Sequence, residues 1–243
     1  MVRGGLAMKT VLITGADRGL GFALTEGMLE AGWQVFAGQF MPDWLQLEGL
    51  TERYPDTLRI IPLDMSSGVS IQQAVQQIAE QTDTLDMLIS NAGINAAGEG
   101  GLSGPLNTER TNLCFQINAL GPMRLTQACL PLMRNGLRRL CYVSSEAGSI
   151  AVCTRAGISG YCMSKTALNM GVRLLFNELR PQGFTFRLYH PGWLRTYMSG
   201  SKNENGRLEA EDSARTAIRQ FLQKKPCEDA LELLDWDDAV WPF

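Results

Sequence analysis

Histidine is almost absent from this chain of 243 residues, since His190 is its only one. A single histidine excludes the HExxH zinc proteases and every metal site built on several imidazoles, so no metal is expected. The chain also lacks a basic excess, because 22 lysines and arginines stand against 25 aspartates and glutamates, a formal net charge of −3. Nucleic acid, whose phosphates attract basic surfaces, is therefore not an expected partner.

Long apolar runs and paired cysteines are missing as well. No run approaches the roughly 18 residues that a membrane-spanning helix needs, and the six scattered cysteines form no CxxC. Residues 1–7 lack the apolar segment of a secretory signal peptide. These absences predict reduced thiols and a cytoplasmic protein that does not bind a membrane. Translation from Met8 is an open alternative to a start at Met1.

Apolar material is plentiful, at 45% of the residues, which is enough for a sizeable core. Short apolar runs alternate with amphipathic segments, and this alternation predicts an α/β fold. We expect residues 1–243 to form a single-domain, doubly wound, Rossmann-type parallel sheet of about seven strands with helices on both faces. The predicted strands are 11–14, 33–37, 58–63, 85–89, 139–143, 184–189 and 230–234, and the predicted helices are 18–31, 42–53, 67–82, 108–134, 159–180 and 209–224.

A glycine-rich segment, Thr-Gly-Ala-Asp-Arg-Gly-Leu-Gly over 14–21, follows the first predicted strand. Gly15 permits a tight turn, Gly19 lets backbone N–H groups approach a pyrophosphate, and Gly21 lets the helix pack close to the strand. The N-terminus of the following helix carries a positive partial charge that favours phosphate. A turn without a ligand is the alternative, but its place after the first strand favours nucleotide binding.

The same segment resembles the Thr-Gly-x-x-x-Gly-x-Gly motif of the short-chain dehydrogenase/reductase family, and six further marks of that family follow in order. They are Asp64 after the third strand, Asn91-Ala92-Gly93 after the fourth, Asn118 in the long helix, Val143-Ser144-Ser145 ending the fifth, Tyr161-Cys-Met-Ser-Lys165 opening the next helix, and Pro191-Gly192 after the sixth. The resemblance covers nearly the whole chain. Within the family, His190-Pro-Gly-Trp193 and the tail from Asp235 to Pro242 are most similar to the carbonyl reductases grouped with the Sniffer and C-factor proteins.

The resemblance implies an oxidoreductase that transfers a hydride between a nicotinamide cofactor and a carbonyl or alcohol substrate. Tyr161 and Lys165 are four residues apart and share one helix face. A free phenol has a pKa of about 10, and the nearby ammonium is expected to lower the pKa of Tyr161 so that it acts as acid or base. By the resemblance, Lys165 also bonds the ribose, Asn118 holds a relay water, and a serine orients the substrate oxygen.

The spacing leaves the catalytic serine open. Ser145 lies 16 residues before Tyr161 (161 − 145), a few more than is usual in the family, and the usual count reaches Gly148, which has no hydroxyl. Alignment from the strand favours Ser145, with Ser144 and Ser149 as alternatives. The extra residues are expected in loop 150–159.

NADP is the preferred cofactor by the resemblance, with NAD as the alternative. Family members that prefer NAD carry an aspartate at the end of the second strand, where this chain has Gly38-Gln39-Phe40. Arg18 is expected to bind the 2′-phosphate, although a solvated residue at the helix start is the alternative. The remaining implied cofactor contacts are Asp17, Leu20, Gln39, Asp64, Met65, Asn91, Ala92, Gly93, Pro191, Gly192, Leu194 and Thr196.

Loops 94–108, 150–159 and 197–208 are expected to determine the substrate, the last either as a lid or as a plain disordered loop. Ser145, Tyr161, Trp193 and Tyr197 are the expected substrate contacts. His190 is expected to be structural. By analogy with the family, we expect a homo-oligomer, a dimer or tetramer that assembles through the helices 108–134 and 159–180. The sequence does not decide whether the aromatic tail 232–243 packs on its own domain or on a partner.

Two other functions remain to be weighed. A nucleotide-binding signalling or interaction protein on the same fold is the alternative to an enzyme. The intact set of Asn118, Ser145, Tyr161 and Lys165 favours the enzyme, because a pure binder needs no proton relay. A sugar-nucleotide epimerase or dehydratase is disfavoured, because such proteins usually need a larger C-terminal substrate region.

Overall fold

A single eight-stranded sheet is the centre of the computed structural model, which describes residues 8–95, 101–198 and 203–243. The order across the sheet is β3-β2-β1-β4-β5-β6-β7-β8. The first seven strands are parallel to their neighbours, whereas β8 runs antiparallel to β7. The strands are β1 (Thr10–Thr14), β2 (Gln34–Gln39), β3 (Leu58–Pro62), β4 (Met87–Ser90), β5 (Arg139–Val143), β6 (Thr185–His190), β7 (Leu233–Asp235) and β8 (Val240–Trp241). The predicted doubly wound parallel sheet is confirmed, with an eighth, antiparallel strand added to the seven expected.

Helices cover both faces of this sheet. Side chains alternate along a strand, so Leu12 of β1 packs with α3, α5 and α6, while Val11 and Ile13 pack with α1, α2 and α7. Gly27 of α1 leaves room for Ile218 of α7, since a Cβ at residue 27 would lie 2.4 Å from the Ile218 Cδ1 atom. The helices are α1 (Gly19–Glu30), α2 (Gln46–Arg53), α3 (Gly68–Ala79), α4 (Thr108–Phe115), α5 (Gly121–Met133), α6 (Ser159–Leu179) and α7 (Ala210–Leu222). Within the part of the chain that the structure covers, none of these helices is long and apolar enough to cross a membrane.

The predicted helix 42–53 begins four residues late, at Gln46. The preceding residues form a turn in which the N–H of Trp44 bonds the carbonyl of Met41 at 3.0 Å. Trp44 therefore lies outside the helix, where its side chain is free to pack elsewhere.

The predicted helix 108–134 is three elements rather than one. Between α4 and α5 lies a π-helical turn over Gln116–Leu120, in which the N–H of Gly121 bonds the carbonyl of Gln116, five residues earlier. Pro122 follows this turn and has no N–H to give to the carbonyl of Asn118, so the regular hydrogen-bond pattern is interrupted here.

The aromatic tail packs on its own chain. Trp241 of β8 donates its indole N–H to the Asp235 Oδ2 atom at 2.8 Å, and the two short strands β7 and β8 pair around this bond.

Candidate active site

A cleft opens at the carboxyl ends of the strands where the sheet order reverses between β1 and β4, the place where such sheets bind ligands. It encloses about 1110 Å³, its open mouth included. The predicted site residues that line it are Gly15, Asp17, Arg18, Gly19, Leu20, Gly21, Asp64, Met65, Asn91, Ala92, Gly93, Tyr161, Lys165, Pro191, Leu194, Thr196 and Tyr197. The predicted residues that do not line it are Gln39, Asn118, Ser145, Gly192 and Trp193.

The glycine loop between β1 and α1 forms a cradle of bare backbone at this cleft. Gly19 has a φ of +57°, in the left-handed region that favours glycine. A Cβ on Gly21 would lie 1.9 Å from the carbonyl oxygen of Gly15, so a larger residue would push α1 away from β1. The first turn of α1 carries no side-chain cap among the described residues. Its N–H groups are therefore available to an anion, and the cradle fits the pyrophosphate of a dinucleotide.

Asn91 locks the loop after β4 to the loop after β1. Its Nδ2 donates to the carbonyls of Thr14 at 2.9 Å and of Gly15 at 3.2 Å. In return, the Thr14 hydroxyl accepts the N–H groups of Asn91 at 3.0 Å and Ala92 at 2.9 Å. The two sides of the cleft are thus held in one rigid arrangement.

Asp17 also borders the cleft, but its carboxylate is occupied by backbone. Its Oδ1 atom accepts the N–H groups of Phe40 at 2.9 Å and Met41 at 2.8 Å. The side chain therefore fixes the turn that follows β2, and Gln39 in that strand stays outside the cleft.

Arg18 is enclosed by two aromatic rings rather than solvated at the helix start. Its guanidinium carbon lies 4.9 Å from the ring centroid of Trp44 and 5.8 Å from that of Tyr197. Its Nη2 atom donates to the Tyr197 carbonyl at 3.1 Å. The sequence does not indicate this contact of Trp44, because its pattern predicts a helix over 42–53. The arginine thus joins the glycine loop to the base of loop 197–208.

Tyr161, in the first turn of α6, forms a hydrogen bond with Ser145, which lies two residues after the end of β5. The two alternative serines are arranged differently. Ser144 donates its hydroxyl to the Asn169 Oδ1 atom at 2.6 Å. Ser149 is buried, and its hydroxyl has no partner among the described atoms. Ser145 is therefore the serine that the fold joins to the tyrosine.

Lys165 lies one turn after Tyr161, with its Nζ atom 3.0 Å from the carbonyl oxygen of Val143 and 5.9 Å from the tyrosine ring centroid. Burial lowers the pKa of Lys165 to about 8. Burial also raises the pKa of Tyr161 to about 12, although the hydrogen bond to Ser145 lowers it in part. Desolvation of the phenolate is the largest cause of this shift, ahead of the charges of Glu146 and Arg155.

Asn118 lies in the π-helical turn and is completely buried. Its Nδ2 donates to the Ile94 carbonyl at 2.8 Å and to the Ser164 hydroxyl at 2.9 Å, and its Oδ1 accepts the N–H of Ile94 at 2.8 Å. A Cβ on Gly93 would lie 3.3 Å from that Oδ1 atom and 3.5 Å from the Lys165 Nζ atom. Asn118 therefore fixes the strand-end loop beside the lysine.

A charged cluster that the sequence did not indicate lies next to the Ser145–Tyr161 pair. Glu146 accepts the Ser145 hydroxyl at 2.6 Å through Oε2, pairs with Arg155 through Oε1, and lies 3.5 Å from the His190 Nε2 atom. Burial lowers the pKa of His190. Its ring is flanked edge-on by Trp236 and Trp241, each at 5.3 Å. These contacts agree with a structural role for the histidine.

The loops expected to determine the substrate are only partly visible. Residues 96–100 of loop 94–108 and residues 199–202 of loop 197–208 lie outside the described residues. The two ends of the latter loop are tied together, since the N–H of Asn203 bonds the Thr196 carbonyl at 2.9 Å and that of Arg195 bonds the Leu208 carbonyl at 3.0 Å. Trp193, at its base, is 55% exposed.

Known proteins resemble this chain in sequence and in structure. The sequence profile of the short chain dehydrogenases matches residues 9–207. The C-signal of Myxococcus xanthus is 45% identical over 139 residues, which cover 57% of this chain and 81% of that protein. The NADPH-bound carbonyl reductase from chicken fatty liver superposes with a TM-score of 0.85 at 26% identity, covering 98% of this chain and all of that one. The D. melanogaster carbonyl reductase Sniffer gives the same score and identity, covering 97% of this chain and all of its own. The resemblance to the Sniffer and C-factor group is thus confirmed.

Proposed function

The chain belongs to the short-chain dehydrogenase/reductase family, and we propose that it interconverts a carbonyl compound and an alcohol with NADP(H) as the preferred cofactor. One observation carries the proposal: Tyr161, which forms a hydrogen bond with Ser145 behind the cleft lining, lines the same cleft as the glycine cradle. A proton donor and a phosphate-binding backbone in one cleft are the two parts that nicotinamide-dependent reduction requires.

The residues around the cleft fit a dinucleotide. The cradle of Gly19 and Gly21 holds the pyrophosphate, Asp64 borders the adenine side, and Leu194 and Thr196 border the nicotinamide side. When bound, the nicotinamide supplies or accepts the hydride. The absence of an acidic residue in Gly38-Gln39-Phe40, the presence of Arg18, and the NADPH bound to the chicken carbonyl reductase support NADP over NAD.

The protein's own residues manage the proton and the substrate oxygen. The raised pKa of Tyr161 keeps its phenol protonated at neutral pH, so Tyr161 donates its proton as the carbonyl oxygen of a substrate gains charge. Ser145 orients that oxygen, and the Lys165 ammonium binds the ribose and adds positive potential. Asn118 holds the loop that contains Gly93 in place. It also binds the water that returns a proton to Lys165.

Replacing the proton donor tests the proposal directly. Tyr161→Phe keeps the ring and removes the hydroxyl, so we expect reduction of a panel of aldehydes and ketones with NADPH to fall by about 10² to 10⁴. NADPH affinity, measured by protein-to-nicotinamide fluorescence transfer, should stay within about twofold because the cradle is untouched. Tyr54→Phe, in the turn after α2, is the matched control and should retain full activity. If Tyr161→Phe turned over substrate as fast as the wild type, Tyr161 could not be the proton donor.

A second candidate is a nucleotide-binding signalling protein without turnover, and the 45% identity to the protein named C-signal is the observation that favours it. One experiment on the wild-type protein, NADPH binding followed by cofactor consumption, distinguishes the two functions. Tight NADPH binding with consumption of the cofactor in the presence of a carbonyl compound supports the reductase. Tight NADPH binding supports the signalling protein if no member of the panel causes the cofactor to be consumed, in reduction or in oxidation.

A further inference from the structure

Trp44 has no part in the reaction proposed above, yet the one arginine of the glycine loop lies over its ring. The Arg18 Cζ atom is 4.9 Å from the Trp44 ring centroid and 5.8 Å from that of Tyr197. The two rings meet edge to face, with their centroids 5.0 Å apart and their planes at 65°. Arg18 thus lies in an aromatic clamp, which consists of the rings of Trp44 and Tyr197.

The aromatic clamp leaves Arg18 with most of its hydrogen-bonding capacity. A guanidinium is a fork of several N–H donors, and within the described residues Arg18 uses it once, from Nη2 to the Tyr197 carbonyl at 3.1 Å. Arg53 also lies over a ring, 5.4 Å from the Tyr54 centroid, but Glu26 pairs with it at 2.6 Å. No carboxylate of the described chain pairs with Arg18 in this way. Because an aromatic ring attracts a cation without neutralising it, Arg18 offers its full charge to the cleft that it lines.

The residue before Arg18 places the tryptophan. The Asp17 Oδ1 atom accepts the N–H groups of Phe40 at 2.9 Å and Met41 at 2.8 Å. The Met41 carbonyl in turn accepts the N–H of Trp44 at 3.0 Å. Trp44 itself is half-buried and packs with neither of the two apolar clusters of the described core. Its ring is therefore held against Arg18 by the glycine loop itself and is not needed to complete the core.

We propose that Trp44 determines cofactor specificity, because it holds the Arg18 guanidinium in place for the 2′-phosphate that distinguishes NADPH from NADH. A long arginine side chain is costly to order, and a clamp that orders it before the ligand arrives removes that cost from binding. The planar guanidinium matches a phosphate through parallel N–H donors, so its orientation matters as well as its charge. Trp44 acts through Arg18 and is thus a positioning residue. The inference rests on the proposed function, since it concerns the cofactor of that reaction.

Two nucleotides that differ only in the 2′-phosphate test the role of Trp44 without turnover. Adenosine 2′,5′-bisphosphate carries this phosphate and adenosine 5′-monophosphate lacks it, so the ratio of their dissociation constants, measured by calorimetry, isolates its contribution. We expect the wild type to prefer the bisphosphate about 10- to 100-fold, as for a hydrogen bond to a charged group. Trp44→Leu removes the ring and should reduce this preference about 3- to 10-fold, the cost of immobilising one long side chain. Trp44→Phe, which keeps a ring, should retain most of the preference.

Tyr54→Leu is the matched control, because that ring also contacts an arginine, Arg53, at the other end of α2. It should leave the preference for the bisphosphate unchanged. Trp44→Leu in an Arg18→Ala background tests whether the tryptophan acts through the arginine. Once Arg18 is gone, loss of the Trp44 ring should reduce the preference no further. Should Trp44→Leu fail to fold, Tyr197→Leu gives an independent reading, because it removes the other ring of the clamp and should reduce the same preference.

The outcomes separate this inference from the proposed function. If Trp44→Leu weakens both nucleotides by the same factor, or neither of them, the role of Trp44 is overturned, while turnover of NADPH by the wild type leaves the reductase intact. A wild type without a preference for the bisphosphate overturns the inference and contradicts NADP as the preferred cofactor. A reduced preference in Trp44→Leu of a protein that reduces no carbonyl compound supports the role of Trp44 and contradicts the reductase.

Discussion

At the residue scale, Arg18 joins two functional segments, because its guanidinium contacts both Trp44 and Tyr197 at the mouth of the cradle. A guanidinium next to the pyrophosphate site suits the extra phosphate of NADPH, since charge-assisted hydrogen bonds are about twice as strong as neutral ones.

Arg18→Ala should therefore weaken NADPH about 10- to 100-fold, as expected for loss of a hydrogen bond to a charged group. NADH, which lacks the 2′-phosphate, should weaken by less than about threefold. Fluorescence titration of both cofactors measures the difference, with Arg53→Ala on α2 as a control whose ion pair is exposed. Equal weakening of the two cofactors would show that the arginine serves only its contacts with Trp44 and Tyr197.

Lys165 makes the stability depend on pH in a predictable direction. Its pKa falls from 10.5 to about 8 on folding because of burial, so between these values the unfolded chain holds a proton that the folded chain has lost. Stability therefore rises with pH across that window, and the full cost of burying the ammonium is present below it.

We accordingly expect Lys165→Met to gain stability relative to the wild type below about pH 8, and the gain to shrink by roughly 1.4 kcal/mol per pH unit up to about pH 10. Urea unfolding of both proteins across this range measures the difference. The buried thiols Cys129 and Cys141, whose pKa values burial raises to about 12, are common to both proteins and cancel. A difference independent of pH would contradict the desolvation of Lys165.

At the scale of elements, the sequence predicts the order and type of nearly all helices and strands, because apolar runs and bounding glycines are local signals. It does not predict the π-helical turn, since the close packing of Gly121 on the backbone of Met65 depends on tertiary structure and leaves no local pattern. The two-residue β8 has no pattern of its own either, and its pairing depends on the indole bond from Trp241 to Asp235.

The residues of the candidate site also fall into those that local sequence signals predict and those that they do not. Tyr161, Lys165 and the glycine cradle follow from motif order along the chain. The contacts of Glu146 do not, because they bring together Arg155 and His190 from separate elements, and nothing local marks such a cluster.

Gly121→Ala tests the element that carries Asn118. A Cβ at residue 121 would lie 2.5 Å from the backbone oxygen of Met65, which lines the cleft, so the π-helical turn must shift. We expect a loss of about 1 to 3 kcal/mol in the free energy of unfolding and weaker NADPH binding. Thermal unfolding and fluorescence titration measure the two effects.

Gly49→Ala is the matched control for that change, because it also lies in a helix and no described atom approaches its Cβ position within 4 Å. It should stabilise the protein by about 0.4 to 1 kcal/mol. If both variants behave alike, the packing of residue 121 on Met65 has no energetic weight.

At the scale of the whole molecule, apolar side chains remain exposed on the helices that we expect to form subunit contacts. Met170 and Leu174 are four apart on α6 and are 61% and 60% exposed, while Leu113 and Leu120 on α4 and the π-helical turn are 44% and 42% exposed. An apolar helix face of this kind supports the proposed homo-oligomer.

Met170→Glu combined with Leu174→Glu should dissociate the assembly, because each charge would be buried without a partner in the interface. Sedimentation velocity of the wild type and the double variant measures the change. Val69→Glu on α3, 68% exposed, should leave the assembly intact. A wild-type protein that sediments as a monomer at micromolar concentration would contradict the proposal.

The packing of α1 against α7 places the first helix of the chain against the last. α1 ends at Glu30 and α7 begins at Ala210, so 209 − 30 = 179 residues lie between them. A ribosome adding about 5–20 residues per second needs roughly 9 to 36 s to make that stretch. Throughout that interval the side of α1 that packs on α7, where Gly27 faces Ile218, has no permanent cover in the nascent chain. The strand order that creates the cleft therefore also makes α1 one of the last helices to be covered completely during biosynthesis.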